Sequence, residues 1–141
     1  MYFNPLSILF IMVEETSLIK TLIAEDDSRM QSLINLALAK KGPFEIRFAA
    51  NGVEAMEIYE EWKPDLVLLD IMMPLLNGYQ TLKEIRQTHD DNQTTVIMLT
   101  SVSAKSEIVA CVDLGIQGYI VKPFNYRNLS EKLLEYHQAA S

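Results

Sequence analysis

Four separated stretches of this sequence carry side chains that could do chemistry together: the acidic run Glu25-Asp26-Asp27, then Asp70, Thr100 and Lys122. A carboxylate is a competent nucleophile toward phosphorus, as aspartyl-phosphate enzymes show. Carboxylates gathered in one place repel one another unless a cation sits among them. Oxygen ligands around an open position suit magnesium, which keeps several waters and also coordinates phosphate. Phosphoryl transfer further needs cations and hydrogen-bond donors around the equatorial oxygens of the moving group. The Lys122 ammonium and the Thr100 hydroxyl are groups of that kind. Taken singly, each residue has a plainer reading. Acids after a strand commonly cap the next helix, as Asp27 or Ser28 is placed to do. Thr100 could be a turn hydroxyl, Lys122 a solvated charge, and Asp70 the start of a turn. The chemical reading depends on whether the fold brings all of them together.

The elements that would do so are legible in the hydrophobic period. Ile19–Ala24, Phe44–Ala49, Asp65–Leu69, Thr95–Leu99 and Gln117–Val121 read as short apolar strands. Ser28–Lys41, Asn51–Trp62, Gly78–His89, Ser103–Leu114 and Asn125–His137 read as amphipathic helices between and after them. Gly42-Pro43 and Gly115 punctuate the pattern. The run from Asp65 to Leu69 is almost unbroken in its apolar character, as expected of a parallel strand covered on both faces. Strand–helix alternation of this kind predicts an α/β fold, a parallel sheet wrapped by helices on both sides. In such sheets ligand chemistry collects outside the carboxyl ends of the strands. The acidic run follows the first strand, Asp70 the third, Thr100 the fourth and Lys122 the fifth, so all four arrive at the same end.

Composition narrows the classes. The 141 residues suffice for one domain of ordinary size, and 49% hydrophobic content supplies a core. Nineteen acidic residues against 12 Lys and Arg give a net charge of −7, which repels nucleic acid. The single cysteine, Cys111, has no internal disulfide partner and reads as a small core residue of the fourth helix; a reducing, cytoplasmic setting is expected. The apolar start, MYFNPLSILFIMV, lacks the basic flank of a signal peptide and stops at Glu14, short of a membrane span. Residues 1–17 are therefore expected to be an extension outside the main domain, with Met12 as an alternative start; residues 18–138 form the domain and 139–141 a tail.

The string from Pro64 through Asp70 to Pro74, with Gly78 four residues on, resembles the phosphorylation-site segment of response-regulator receiver domains. Glu25-Asp26 is similar to that family's acidic pair, Thr100-Ser101 to its hydroxyl residue and small neighbour, and Lys122-Pro123 to its lysine–proline pair. The resemblance runs from about Leu18 to Tyr136. It implies a five-stranded, doubly wound, flavodoxin-like sheet in the order 2-1-3-4-5. It implies that Asp70 accepts a phosphoryl group from a histidine kinase or histidine phosphotransfer protein, in a signalling switch rather than an enzyme. Glu25, Asp26, Asp70 and the backbone carbonyl of Met72 would hold Mg2+ or Mn2+. Thr100 would move toward the phosphoryl oxygens, Lys122 would pair with them, and Tyr119 would report the change. The reporting surface, read by a downstream protein, would be the face of the fourth helix, fifth strand and fifth helix. A cis Lys122-Pro123 bond is implied as well. Ser101 departs mildly from the more frequent alanine. Met72 and Val102, at positions that flank water's approach to the phosphorus, are apolar, which implies slow loss of the phosphoryl group.

Two other phosphate-handling readings are weaker. A phosphatase of the haloacid-dehalogenase type would need a second Asp where Met72 stands. A flavin-binding module would need a Ser, Thr and Gly loop after the first strand, where Glu-Asp-Asp stands instead. A receiver detached from a larger effector protein is the alternative that keeps the same chemistry.

Overall fold

A computed structural model describes residues 18–101 and 103–140. Strands β1 (Ile19–Ala24), β2 (Phe44–Ala49), β3 (Leu66–Asp70), β4 (Thr95–Ser101) and β5 (Gly118–Lys122) form one parallel sheet in the order β2-β1-β3-β4-β5. They alternate with helices α1 (Ser28–Leu38), α2 (Gly52–Trp62), α3 (Gly78–Lys83), α4 (Lys105–Leu114) and α5 (Leu129–Ala140). This is the expected architecture. Side chains of a strand alternate between faces, and the core divides accordingly. Val67 and Leu69 join a cluster with Ala55, Tyr59, Leu82 and Cys111, from α2, α3 and α4. Leu66 and Leu68 join the opposite one with Ile34, Leu38, Leu129 and Leu133, from α1 and α5. Both faces of β3 are thereby covered, which is why its sequence is continuously apolar. Among the described residues no helix is long and apolar enough to cross a membrane.

Several boundaries differ from the sequence reading, each for a local reason. Asp27 is the N-cap of α1, its carboxylate accepting the Arg29 N–H at 2.9 Å. That helix stops at Leu38 rather than Lys41, and Lys40 turns away with a left-handed φ of 63°. Asn51 caps α2 instead of beginning it. Strands β3, β4 and β5 end later than the apolar pattern, because the ladder continues through Asp70↔Leu99, Thr100↔Val121 and Ser101↔Lys122. Asp70, Thr100 and Lys122 are thus among the last rungs of the sheet, whereas Glu25 and Asp26 follow the end of β1. Helix α4 starts at Lys105, and a 3-10 turn, Tyr126–Asn128, precedes α5. Helix α5 continues through Ala140, taking in two residues expected as tail.

The third helix departs most. Its α-helical part ends at Lys83 and a π-turn, Glu84–Thr88, follows. The wider turn buries both Ile85 and Arg86 and leaves His89 near the surface, where its imidazole faces Glu60 at 3.2 Å. The Arg86 guanidinium donates to the carbonyls of Gly115 (2.9 Å) and Asp91 (2.9 Å) and to Oε1 of Gln117 (3.1 Å). The expected extension at residues 1–17 lies outside the described residues.

Candidate functional site

Strands β1 and β3 are neighbours, and their register aligns Ala24 with Leu69. The next residue on each, Glu25 and Asp70, therefore stands beside the other. Carboxylate oxygens of Glu25, Asp26 and Asp70 all lie within 4.8 Å of one another. Glu25 is 1% exposed and Asp70 5%, whereas Asp26 faces solvent. Lys122, at the end of β5, reaches across so that its Nζ lies 3.0 Å from Oδ2 of Asp70 and 3.1 Å from Oε2 of Glu25. The Lys122–Pro123 peptide is cis.

Backbone amides complete the cradle. The Met72 N–H donates to Oδ1 of Asp70 at 3.1 Å, and the Asp27 N–H to Oε1 of Glu25 at 3.2 Å. Two glycines let the loop after β3 close tightly. A Cβ on Gly78 would lie 2.3 Å from the Asp70 carbonyl oxygen, and one on Gly52 would lie 2.0 Å from that of Leu76. Neither space exists for a side chain.

The two buried carboxylates bear directly on each other. Burial, then the hydrogen bonding and charge of Asp70, push the Glu25 carboxyl up to about 7, against the opposing pull of Lys122. Burial alone would lower Lys122, but the hydrogen bonds and charges of Asp70 and Glu25 raise it. Two buried carboxylates thus share one ammonium. All-oxygen donors, spacing compatible with one ion and an unmet negative charge fit magnesium.

Thr100, 4% exposed, donates its hydroxyl to the Ser101 carbonyl at 3.1 Å. Ser101 turns its own hydroxyl toward that of Ser103 at 2.9 Å. A cavity of about 190 Å³ is lined by Thr100 and Tyr119 together with Ala104 and Ile108. Tyr119 stands half-exposed at its rim. The fold therefore joins Glu25, Asp26, Asp70 and Lys122, and has Thr100 and Tyr119 line one cavity. The Met72 side chain is 68% exposed, and Val102 lies outside the described residues. Sequence reasoning missed Gln31, whose Nε2 donates to the Glu25 carbonyl at 2.6 Å. No motif marks it, because its partner is a main-chain atom.

A family model described as the response regulator receiver domain matches residues 21–134. The transcriptional regulatory protein CpxR of Klebsiella pneumoniae is 41% identical over 114 residues, covering 81% of this chain and 47% of that protein. The chemotaxis protein CheY of Bacillus subtilis is 36% identical over 114 residues, covering 81% of this chain and 93% of that protein. The chain spans about half the length of the transcriptional regulators it matches. Among solved structures, a CheY-like receiver domain protein from Methanospirillum hungatei superposes with a TM-score of 0.79 at 28% identity, covering 88% of this chain and 97% of that one. CheY4 of Vibrio cholerae gives 0.77 at 26% identity, covering 85% and 99%.

Proposed function

The chain belongs to the response-regulator receiver family, and on that premise we propose that it is a phosphoryl-accepting switch whose acceptor is Asp70. The observation that carries this reading is the meeting of Glu25, Asp26, Asp70 and Lys122 in one pocket at the strand ends. The donor is a phosphohistidine on a kinase or phosphotransfer protein. A carboxylate oxygen of Asp70 attacks the phosphorus while the phosphorus–nitrogen bond breaks, and the electron pair of that bond stays on the imidazole. Magnesium, when held by Glu25, Asp26, Asp70 and the Met72 carbonyl, supplies the charge that both the acids and the phosphoryl oxygens require.

The chain's own groups then rearrange. Lys122 leaves Oδ2 of Asp70 for a phosphoryl oxygen. Thr100 gives up the Ser101 carbonyl and turns its hydroxyl toward the phosphoryl group. The cavity beside Thr100 admits the Tyr119 ring, and the face built from α4, β5 and α5 changes for a downstream protein to read. Apolar Met72 and Val102 offer no group to orient an attacking water, so the modified state is long-lived. This exchange with a kinase places the chain in the cytoplasm.

Mass spectrometry after incubation with acetyl phosphate tests the proposal. The wild-type chain gains one phosphoryl group in magnesium and none in EDTA, and Asp70→Asn gains none. Undiminished labelling of the variant, or labelling in chelator, overturns it. The match to one half of the CpxR proteins supports a second reading, as the receiver part of a longer transcriptional regulator. An antibody against the receiver would then detect a native polypeptide clearly longer than these 141 residues.

A further inference from the structure

Asp26 is the one acid of the pocket whose carboxylate faces solvent, and among the described residues it has no hydrogen-bond or ion-pair partner. Its neighbours are held far more firmly. Glu25 is pinned by Lys122 and by the Asp27 N–H, and its own N–H donates to the Ala49 carbonyl at 3.0 Å. What aims Asp26 must therefore act through the main chain.

Gln31 does this from both of its ends. It lies in the first turn of α1, where its N–H donates to the Asp27 carbonyl at 2.9 Å. Its side-chain Nε2 reaches back over the helix start to the Glu25 carbonyl at 2.6 Å. One residue thus grips the carbonyls on either side of Asp26. The Glu25–Asp26 peptide is a rigid plane, so fixing its oxygen fixes ψ of Glu25, and holding the Asp27 carbonyl as well restrains φ of Asp26. Those torsions decide where the Asp26 carboxylate points relative to that of Glu25. The donor is also uncharged, so it orders the acids without placing a competing cation among them, as Arg or Lys would at this position.

We propose that Gln31 is a positioning residue for the metal, presetting the Glu25-Asp26 pair through the peptide between them. This rests on the pocket being a magnesium site. Groups that orient metal ligands from outside the ligand set are typically worth about 10–100-fold in affinity. Gln31 acts at one remove from the ligand atoms, so the lower end applies.

Gln31→Met keeps the length and approximate shape of the side chain and removes the donor. Calorimetric titration of the full chain with magnesium chloride is expected to give a Kd about tenfold weaker than wild type. Phosphorylation by acetyl phosphate falls at limiting magnesium and returns to the wild-type extent at saturating magnesium. A merely structural role lowers the urea midpoint but leaves the Kd of the folded chain unchanged, and that result overturns the proposal. So does a loss of phosphorylation that saturating magnesium does not restore. A wild-type chain that takes up no magnesium refutes the metal site itself and the positioning role with it, an outcome visible before any variant is measured.

Discussion

Replacing Gly78 with alanine is a test of how tightly the loop after β3 is built. The added Cβ would lie 2.3 Å from the Asp70 carbonyl oxygen, 2.7 Å from the Ile71 Cα and 3.0 Å from the Asp70 carbonyl carbon. Ordinary contacts between such atoms need about 3.5 Å. The backbone at the end of β3 must therefore withdraw by roughly 1 Å, since none of the three neighbours is a movable side chain. Overpacking of this kind costs about 1–3 kcal/mol. Alanine's better helix propensity returns at most about 1 kcal/mol, and less at the first helical position. A net loss of about 2 kcal/mol would lower the urea midpoint by about 1 M at an m-value near 2 kcal/mol/M. The same shift moves Asp70, so acetyl phosphate labelling slows even where the variant is fully folded. Gly42→Ala is the control, because its Cβ meets only the ring edge of Phe44, a side chain able to turn aside. That variant should stay within about 0.5 kcal/mol of wild type. Equal stability of the two variants, with labelling unchanged in Gly78→Ala, would refute the reasoning.

Asp26→Ala should weaken magnesium binding more than Glu25→Ala, because Glu25 spends its oxygens on Lys122 and the Asp27 N–H while Asp26 keeps its own free. Titrations showing equal or reversed losses would contradict that division. Asp91 offers a test of pH dependence remote from the pocket. It accepts from the hydroxyls of Tyr59 and Thr94 and from the N–H groups of Gln93 and Thr94. Burial alone would raise its carboxyl, but those hydrogen bonds hold it down at about 2. A lowered native value stabilises the fold above the unfolded value near 3.8, and the benefit is lost as pH falls through about 2. With solvent screening, Asp91→Asn should cost about 1–2 kcal/mol at neutral pH. Its stability should also decline less between those two pH values, and urea titrations with slopes parallel to wild type there would count against the assignment.

The fold was legible because short strands rich in apolar residues alternate with helices that carry buried positions, as in β3 and α1. The pocket was legible because its four contributors sit at the same end of their strands, so topology alone brings Asp70 to Lys122. Details that depend on side chains reaching main-chain atoms were not. Gln31 looks like an ordinary polar residue on an exposed helix face until its amide is seen on the Glu25 carbonyl. Arg86 was hidden for a related reason. A charged residue inside a helical pattern reads as solvent-facing, yet the π-turn carries its guanidinium inward to three acceptors. The end of β4 was missed because Thr100 and Ser101 are polar, although their rungs with Val121 and Lys122 continue the ladder.

The position of Lys122 between Glu25 and Asp70 has a consequence for how the pocket responds to its surroundings. The protein carries its own counterion. The Lys122 ammonium offsets part of the charge of the two buried acids. An incoming ion must then outbid a resident partner, so the apparent affinity is a difference between two attachments rather than the strength of one. The stronger the lysine's grip, the higher the ion concentration needed to half-fill the pocket. Filling keeps the gradual form of a single-site isotherm, with its midpoint moved to higher ion concentration by Lys122.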